Sequence, residues 1–315
     1  MPGKDKLLSV CCLGYRHAPY IRDCITSIWQ DSWPHIEIVA MDDGSGDGSV
    51  ELLKELQSQS PCPFLVLEQE NSGNVPANFN RLLKASHGEF VLFTSLDDMQ
   101  IPGALEARME RLLEDGHRVF AAHTKAFALG EDKKLRPEET PLAGKSPDAA
   151  GLLELERTLF HSFYIQGAVF RRSAVEAVNG FSETMIGDDI VLRTKLLFHI
   201  LAHPGLTFSL IDEPGFIYRR HAGNISRNVM RQLELAFQYW ERFWQGKPYP
   251  AMMKCWLLEG LNVVPYKDIL RAFTLTGHAS RFLLDTDIQE ALRLSAARSL
   301  LNGGETHAHR AAAAI

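Results

Sequence analysis

Short apolar runs alternate with amphipathic stretches from Leu8 to His123, and that rhythm leaves few architectures open. Leu8–Leu13 has the apolar character of a buried strand, and Tyr20–Trp29 carries Ile21, Cys24, Ile25, Ile28 and Trp29 at helical spacing. The cycle repeats through a strand at Ile36–Met41, a helix with Val50, Leu53 and Leu56 on one face, and a strand at Phe64–Leu67. A helix over Ala77–Ala85, a strand over Phe90–Ser95, a helix over Gly103–Leu113 and a strand over Val119–His123 complete it. This alternation predicts an α/β fold, a mostly parallel sheet flanked by helices on both faces. Such sheets take ligands beyond the carboxyl ends of their strands. Ser49 is predicted to cap the helix that begins there.

Gly130–Asp148 is charged, proline-bearing and aperiodic, which predicts a surface excursion outside the core. Beyond it the pattern predicts a helix near Leu152–Phe160, a strand at Ile165–Phe170, helices from Ser173 and from Asp189 to Leu201, and a strand at Phe216–Tyr218. From Arg231 the pattern is helical nearly to Asn302. The expected organisation is a domain over 1–228, a helical C-terminal extension over 229–302 and a flexible tail over 303–315. Leu233, Phe237, Trp240 and Trp244 make a stripe in the extension. Core packing is its stronger reading, and a sugar platform or a homo-oligomer contact through the C-terminal helices are the others.

A formal net charge of -6, from 33 Lys+Arg against 39 Asp+Glu, argues against a general nucleic-acid binder. No apolar run approaches the ~20 residues of a membrane span. Leu7–Leu13 runs into Tyr15-Arg16-His17 without the small-residue cleavage site of a signal peptide. The cysteines include no C-x-x-C pair and read as reduced packing thiols. The expectation is a cytoplasmic chain, with peripheral attachment to the inner face of the membrane left open.

Four polar clusters stand at element ends. Asp42-Asp43-Gly44-Ser45 follows the second strand, where paired carboxylates either accept hydrogen bonds from a base or ribose or form a solvated turn. Asp97-Asp98 follows the fourth strand. Such a pair either holds a hard divalent cation that neutralises a diphosphate or favours the N-terminus of the next helix. Asp188-Asp189 precedes an amphipathic run and fits helix capping. His221, beside Arg219 and Arg220, could join an edge that binds a cation or diphosphate.

In this order the clusters resemble glycosyltransferase family 2, inverting enzymes of the GT-A fold that use nucleotide-sugar donors. The resemblance runs from Leu8 to Ser226 through Ser9-Val10, Tyr15, His17, Tyr20-Ile21, Asp42-Asp43-Gly44-Ser45, Asn71-Ser72-Gly73, Asp97-Asp98, Gly180-Phe181, Asp188-Asp189, Arg193 and His221. It implies a bacterial-type enzyme that moves a sugar from a nucleoside-diphosphate sugar, UDP-linked by default, to a saccharide, lipid-linked or protein hydroxyl. Surface polysaccharide or glycan assembly is the implied setting. The resemblance implies a donor pocket from Ser9, Cys11, Asp42, Asp43, Asn71 and Gly73, with Asp97 and Arg219 at the ribose or diphosphate. It implies Mn²⁺ or Mg²⁺ at Asp98 and His221, and catalytic roles for Asp188 and Asp189, the second as general base. Ser95 replaces the first acid of the family's D-x-D-D segment, Leu13 and Arg16 replace its Pro and Asn, and Asn78 stands where an arginine is usual. Two other classes remain. One is a nucleotidyltransferase on a related fold, for which Gly14-Tyr15-Arg16-His17 makes a poor triphosphate loop. The other is a non-catalytic binding or scaffold protein.

Overall fold

The structure is a computed structural model that describes residues 5–138, 140–142, 144–263 and 286–296. The chain divides into two compact units, Met1–Glu156 with Phe160–His221, and Arg157–Leu159 with Ala222–Ile315. The first unit runs β1 (Leu8–Gly14), α1 (Ala18–Trp29), β2 (Ile36–Asp42), α2 (Ser49–Gln59), β3 (Phe64–Glu68), α3 (Val75–Ala85), β4 (Phe90–Ser95) and β5 (Met99–Gln100). It continues through α4 (Ala104–Leu113), β6 (Arg118–Leu129), β7 (Leu135–Glu138), α5 (Ala149–Leu159), β8 (Ala168–Arg171), α6 (Arg172–Ala177), α7 (Asp189–Ala202) and β9 (Thr207–Arg219).

The strands form one sheet in the order β3-β2-β1-β4-β8-β6-β9-β5, with β7 paired to β6. β1 to β4 pair in parallel as the alternation predicts, and β6 and β9 do the same. β8 enters antiparallel between β4 and β6, and β5 and β7 are short antiparallel additions, so the sheet is mixed. Period-2 alternation sorts the buried side chains by face. Leu8, Val10, Cys12, Phe90 and Leu92 pack with Ile21 and Ile25 of α1, Leu53 and Leu56 of α2, and Leu105 and Met109 of α4. Phe93, one residue out of step with Leu92, meets Phe79 of α3, Phe170 and Phe181 at ring separations of 5.5, 6.1 and 4.8 Å.

Four local readings are corrected. Ser49 does not cap α2. Gly48 takes that position at φ +91°, and Ser49 instead donates its N–H and hydroxyl to Asp47 Oδ1 at 3.1 and 2.6 Å. β6 and β9 run well past the predicted Val119–His123 and Phe216–Tyr218. Their pairing is bulged between His123 and Lys125 and between Lys125 and Phe127, opposite Pro214, which breaks the alternation that periodicity relies on. Gly215 is required there, because a Cβ would lie 2.3 Å from the His123 ring. Residues 130–148 are not wholly an excursion, since β7 joins the sheet and Leu142 is buried. The first half of the predicted Ile165–Phe170 strand is a single 3-10 turn, Ile165–Gly167.

In the second unit, α8 (Val229–Phe243) and α9 (Ala251–Val263) are helical, as are residues 286–296. Leu233, Phe237 and Trp240 are buried, so that part of the stripe packs into a core. The expected tail over 303–315 lies outside the described residues. No helix among the described residues is long and apolar enough to cross a membrane.

Leu92 is fully buried in the central strand β4. Leu92→Ala is expected to lower the unfolding free energy by about 2–5 kcal/mol, read from urea denaturation.

Candidate functional site

The strand registers bring three turns to one edge of the sheet. Gly14 at the end of β1 lies opposite Asp42 at the end of β2, and Leu13 lies opposite Ser95 at the end of β4. Two further bonds extend the alignment: Asp43 N–H donates to the Gly14 carbonyl and Leu96 N–H to the Leu13 carbonyl, both at 2.9 Å. In the first turn Arg16 takes φ +58°, a left-handed conformation that costs a non-glycine residue about 1–3 kcal/mol. Its N–H donates to Ser45 Oγ at 2.7 Å, which ties this turn to the second. The turn delivers His17 to the start of α1.

Asp97 and Asp98, in the third turn, are both buried, and two buried like charges side by side are unfavourable. The surroundings separate them. Asp97 Oδ2 lies 2.9 Å from His221 Nε2 and 3.6 Å from His17 Nε2. Burial pushes the Asp97 carboxyl up, but the His221 contact and the nearby His17 outweigh it and hold the group below the ordinary aspartate value. Asp98 turns elsewhere: Oδ1 accepts from the Arg219 N–H at 3.0 Å and Oδ2 from Gln166 Nε2 at 3.2 Å. Burial and the Asp97 charge push Asp98 well above its ordinary value. This corrects the expected division of labour. Asp97, not Asp98, stands with His221, and Asp98 fastens the end of β9.

Arg219 stays at this cluster through Nε to the Asp97 carbonyl at 2.9 Å and Nη2 to Asp23 Oδ2 at 2.8 Å. Its guanidinium lies 4.9 Å over the Tyr20 ring, which in turn sits 4.6 Å from the His221 ring. Arg220 points away from any diphosphate role and pairs with Glu138 at 2.6 and 2.8 Å. Burial lowers the His17 pKa more than the Asp97 charge raises it, so its imidazole is neutral at neutral pH and keeps a lone pair. One donor atom from each of His17, Asp97 and His221 falls within 4.8 Å of the others. A carboxylate with two imidazoles is a donor set that fits a divalent cation.

The acids expected to meet a base or ribose are turned inward. Asp42 accepts the Ser45 N–H at Oδ2, 2.8 Å, and the Ser45 hydroxyl at Oδ1. Asp43 Oδ1 accepts the Ser72 N–H at 2.9 Å, the Ser72 hydroxyl at 3.0 Å and Gln69 Nε2, while Oδ2 accepts the Gly73 N–H at 3.1 Å. Asn71 Nδ2 donates to the Asp43 carbonyl at 2.8 Å. Asn71 and Gly73 therefore do lie against the Asp43 turn, but both carboxylates are buried and shape that edge from within. Ser9 and Cys11 are corrected more fully. Both are completely buried, Ser9 near the start of β1 and Cys11 at its middle, short of its carboxyl end. The Ser9 hydroxyl donates to Glu37 Oε1 at 2.6 Å, and burial pushes the Cys11 thiol up to about 12.

Asp188 precedes α7 and Asp189 opens it; the Asp188 side chain makes no capping hydrogen bond. About a third of the Asp189 side chain is exposed (34%), and its Oδ2 accepts from Arg193 Nη1 at 2.7 Å. Arg193 is fully buried and donates also to both oxygens of Glu156, at 2.6 and 3.1 Å. Burial alone raises the Asp189 carboxyl, and the Arg193 charge outweighs it and keeps the group low and ionised. Residues 161–166 connect the two acidic regions: His161 lies in the field of Asp189, while Gln166 holds Asp98.

The sequence profile described as Glycosyl transferase family 2 matches residues 9–178, more than half of the chain. The chain belongs to glycosyl transferase family 2. The uncharacterized glycosyltransferase alr2836 of Nostoc sp. is 30% identical over 171 residues, 54% of this chain and 52% of its own length. The putative teichuronic acid biosynthesis glycosyltransferase TuaG of Bacillus subtilis is 32% identical over 108 residues, 34% of this chain and 42% of its own. The chain thus spans about half the length of these relatives. Residues 1–349 of S. aureus TarS, solved with UDP-GlcNAc, align at a TM-score of 0.60 and 16% identity over 92% of this chain and 79% of that one. The mannosyltransferase PcManGT of Pyrobaculum calidifontis, solved with GDP-Man and Mn²⁺, aligns at 0.55 and 15% identity over 94% and 88%. These likenesses carry the GT-A fold.

As a family 2 chain it uses residues that its motifs do not reveal. Gln69, Glu156, His161 and Gln166 are single polar residues within unremarkable stretches, and no spacing distinguishes them. His17 carries a weak signal, a histidine three residues beyond a strand's carboxyl end. Asn78, in the family's usual arginine position, accepts from Gln69 at 2.7 Å and from Ser72 at 3.2 Å, and so joins the network around Asp43.

Burial pushes the Asp43 carboxyl up, but its hydrogen bonds prevail and hold it below the ordinary value. Its stabilisation is therefore complete above the unfolded value of about 3.9 and is lost as pH falls through the lower folded value. Asp43→Asn turns an amide toward groups that donate, and is expected to lower the thermal midpoint at pH 7. The gap between the two proteins should shrink below about pH 4 in melts taken across the acid range.

Proposed function

We propose that this chain is an inverting glycosyltransferase that moves a sugar from a nucleoside-diphosphate sugar to a hydroxyl acceptor. The observation that carries the reading is the cluster of Asp97 with His17 and His221 beyond the ends of β1, β4 and β9. An ionised Asp97 faces imidazoles, and a second ionised aspartate, Asp189, flanks the segment that holds Asp98. Inverting transfer is a single in-line displacement, which needs a base on the acceptor side and positive charge on the leaving-group side.

Asp97 and His221 would hold a divalent cation, which when bound supplies positive charge for the departing diphosphate. Arg219 adds a fixed guanidinium beside them, locked by Asp23 and the Asp97 carbonyl. Asp189 accepts the proton of the acceptor hydroxyl, and Arg193, clamped by Glu156, fixes its orientation. The loop at Asn71–Gly73, pinned to Asp43, borders the donor. The UDP-GlcNAc bound by TarS and the GDP-Man bound by PcManGT support a nucleotide-sugar donor, with UDP-sugars the first to test. The likeness to TuaG, a putative teichuronic acid biosynthesis glycosyltransferase, supports a cell-surface polymer as the product class.

Purified protein incubated with Mn²⁺, a panel of UDP-, GDP- and dTDP-sugars and saccharide acceptors is expected to release one nucleoside diphosphate. Failure of every diphosphate to bind would leave a scaffold role, and pyrophosphate release from a triphosphate would make the chain a nucleotidyltransferase. Asp189→Asn is expected to cut kcat by about 10²–10⁴, the range of general-base catalysis, with donor binding by calorimetry unchanged. Undiminished turnover would remove Asp189 from that role.

A further inference from the structure

We propose that His17 is a third ligand of the cation at Asp97 and His221, and that the resulting donor set favours a transition-metal ion over Mg²⁺. The inference rests on the cation-assisted reading above and specifies its site. His17 comes from the turn after β1, Asp97 from the turn after β4 and His221 from the segment after β9, so three separate strand ends converge.

The His17 contact is of the wrong length for a hydrogen bond. Its Nε2 lies 3.6 Å from Asp97 Oδ2, beyond the usual limit, whereas His221 Nε2 approaches the same oxygen at 2.9 Å. Donor atoms bound to one ion at about 2.1 Å lie roughly 3–3.5 Å apart, a range that the 2.9 and 3.6 Å separations bracket. Either tautomer of His17 carries an electrostatic cost. Nδ1 is buried and has no hydrogen-bond partner among the described residues. With the proton on Nε2, Nδ1 holds a buried lone pair with no donor. With the proton on Nδ1, that N–H lacks an acceptor and the Nε2 lone pair faces a carboxylate. A cation between Nε2 and Asp97 removes that last repulsion.

Two imidazoles with one carboxylate also carry a preference. Mg²⁺ demands oxygen ligands and gives up water reluctantly, while imidazole nitrogen suits transition ions. The three side chains are held before any ion arrives. Tyr20 packs on the His221 ring at 4.6 Å, and the His17 ring sits edge-on to it at 5.9 Å and 90°.

The test is Mn²⁺ binding to the full chain, alone and with UDP, followed by electron paramagnetic resonance. Electron spin-echo modulation counts the directly bound imidazole nitrogens. Wild type is expected to show two, and to hold Mn²⁺ against an excess of Mg²⁺. His17→Ala and His17→Gln, checked for folding by circular dichroism, should each show one nitrogen. Each should bind Mn²⁺ at least about tenfold more weakly, the lower end of what even a ligand's outer partner contributes, with a smaller margin over Mg²⁺. One imidazole in the wild type, a count that needs no variant, would remove His17 from the site and leave Asp97 and His221 in place. So would unchanged binding in both variants. Absence of Mn²⁺ binding to the wild type in either condition would overturn the cation reading itself, and this proposal with it.

Discussion

Two adjacent aspartates carried into a buried strand end repel each other, and much of the first unit follows from how that conflict is met. Asp98 is the member whose carboxyl burial and the Asp97 charge push up, and it is fixed by Gln166 and the backbone of Arg219. Those two partners reach deep into the fold. The Gln166 carbonyl accepts from Arg108 Nη1 at 3.1 Å and from Gln100 Nε2 at 3.2 Å, and Arg108 also donates to the Gln100 side chain and the Ala104 carbonyl. Arg108 is fully buried, and burial lowers its pKa to about 9. Asp98 thus anchors the end of β9 to α4 and the 3-10 turn. His221 follows two residues later, which is how a residue far along the chain comes to face Asp97.

The second acidic pair solves the same problem by another route. Asp42 and Asp43 are as buried as the first pair, but each gathers hydrogen bonds from its own neighbourhood. Bonds to a charged acceptor are worth about 1.5–3 kcal/mol each, enough for several to offset partial burial. Gly44 makes this possible. At φ +71° with no side chain, it admits the Asn71 backbone where a Cβ would sit 2.4 Å away. The result is a rigid pair of loops across the ends of β2 and β3. Carboxylates that look from sequence like ligands for substrate become the frame on which the loop at Asn71–Gly73 is mounted.

The order of strands and helices from Leu8 to Leu113 was readable because burial on both faces imposes period and length together. The acidic pairs were readable for a related reason: strand ends in such a sheet converge on one edge, so charges placed there had to be explained jointly. What could not be read was the direction each carboxylate takes. Asp97 and Asp98 are neighbours with the same side chain, and only the late arrival of Arg219 and His221 distinguishes them. Ser9 and Cys11 misled because a motif places residues on a strand without saying which end faces the ligand. β6 and β9 were seen only in part, since bulges and Pro214 remove the alternation that marks a strand.

The electrostatics at α7 bear on the general-base role we propose for Asp189. A carboxylate held low by Arg193 remains ionised across the physiological range but has little appetite for a proton in the resting protein. An acceptor hydroxyl is far less acidic still, so early proton removal is unfavourable from either side. The demand changes once the bond to the leaving diphosphate stretches, because the acceptor oxygen then gains positive character and its proton becomes acidic. A weak, fixed, always-ionised base suits a transfer that comes late in the displacement. On that reading Arg193, which also binds both oxygens of Glu156, contributes by keeping Asp189 in one orientation. On this account, the power of the site lies in stabilising the departing group, and Asp189 completes a reaction that positive charge on the other side has begun.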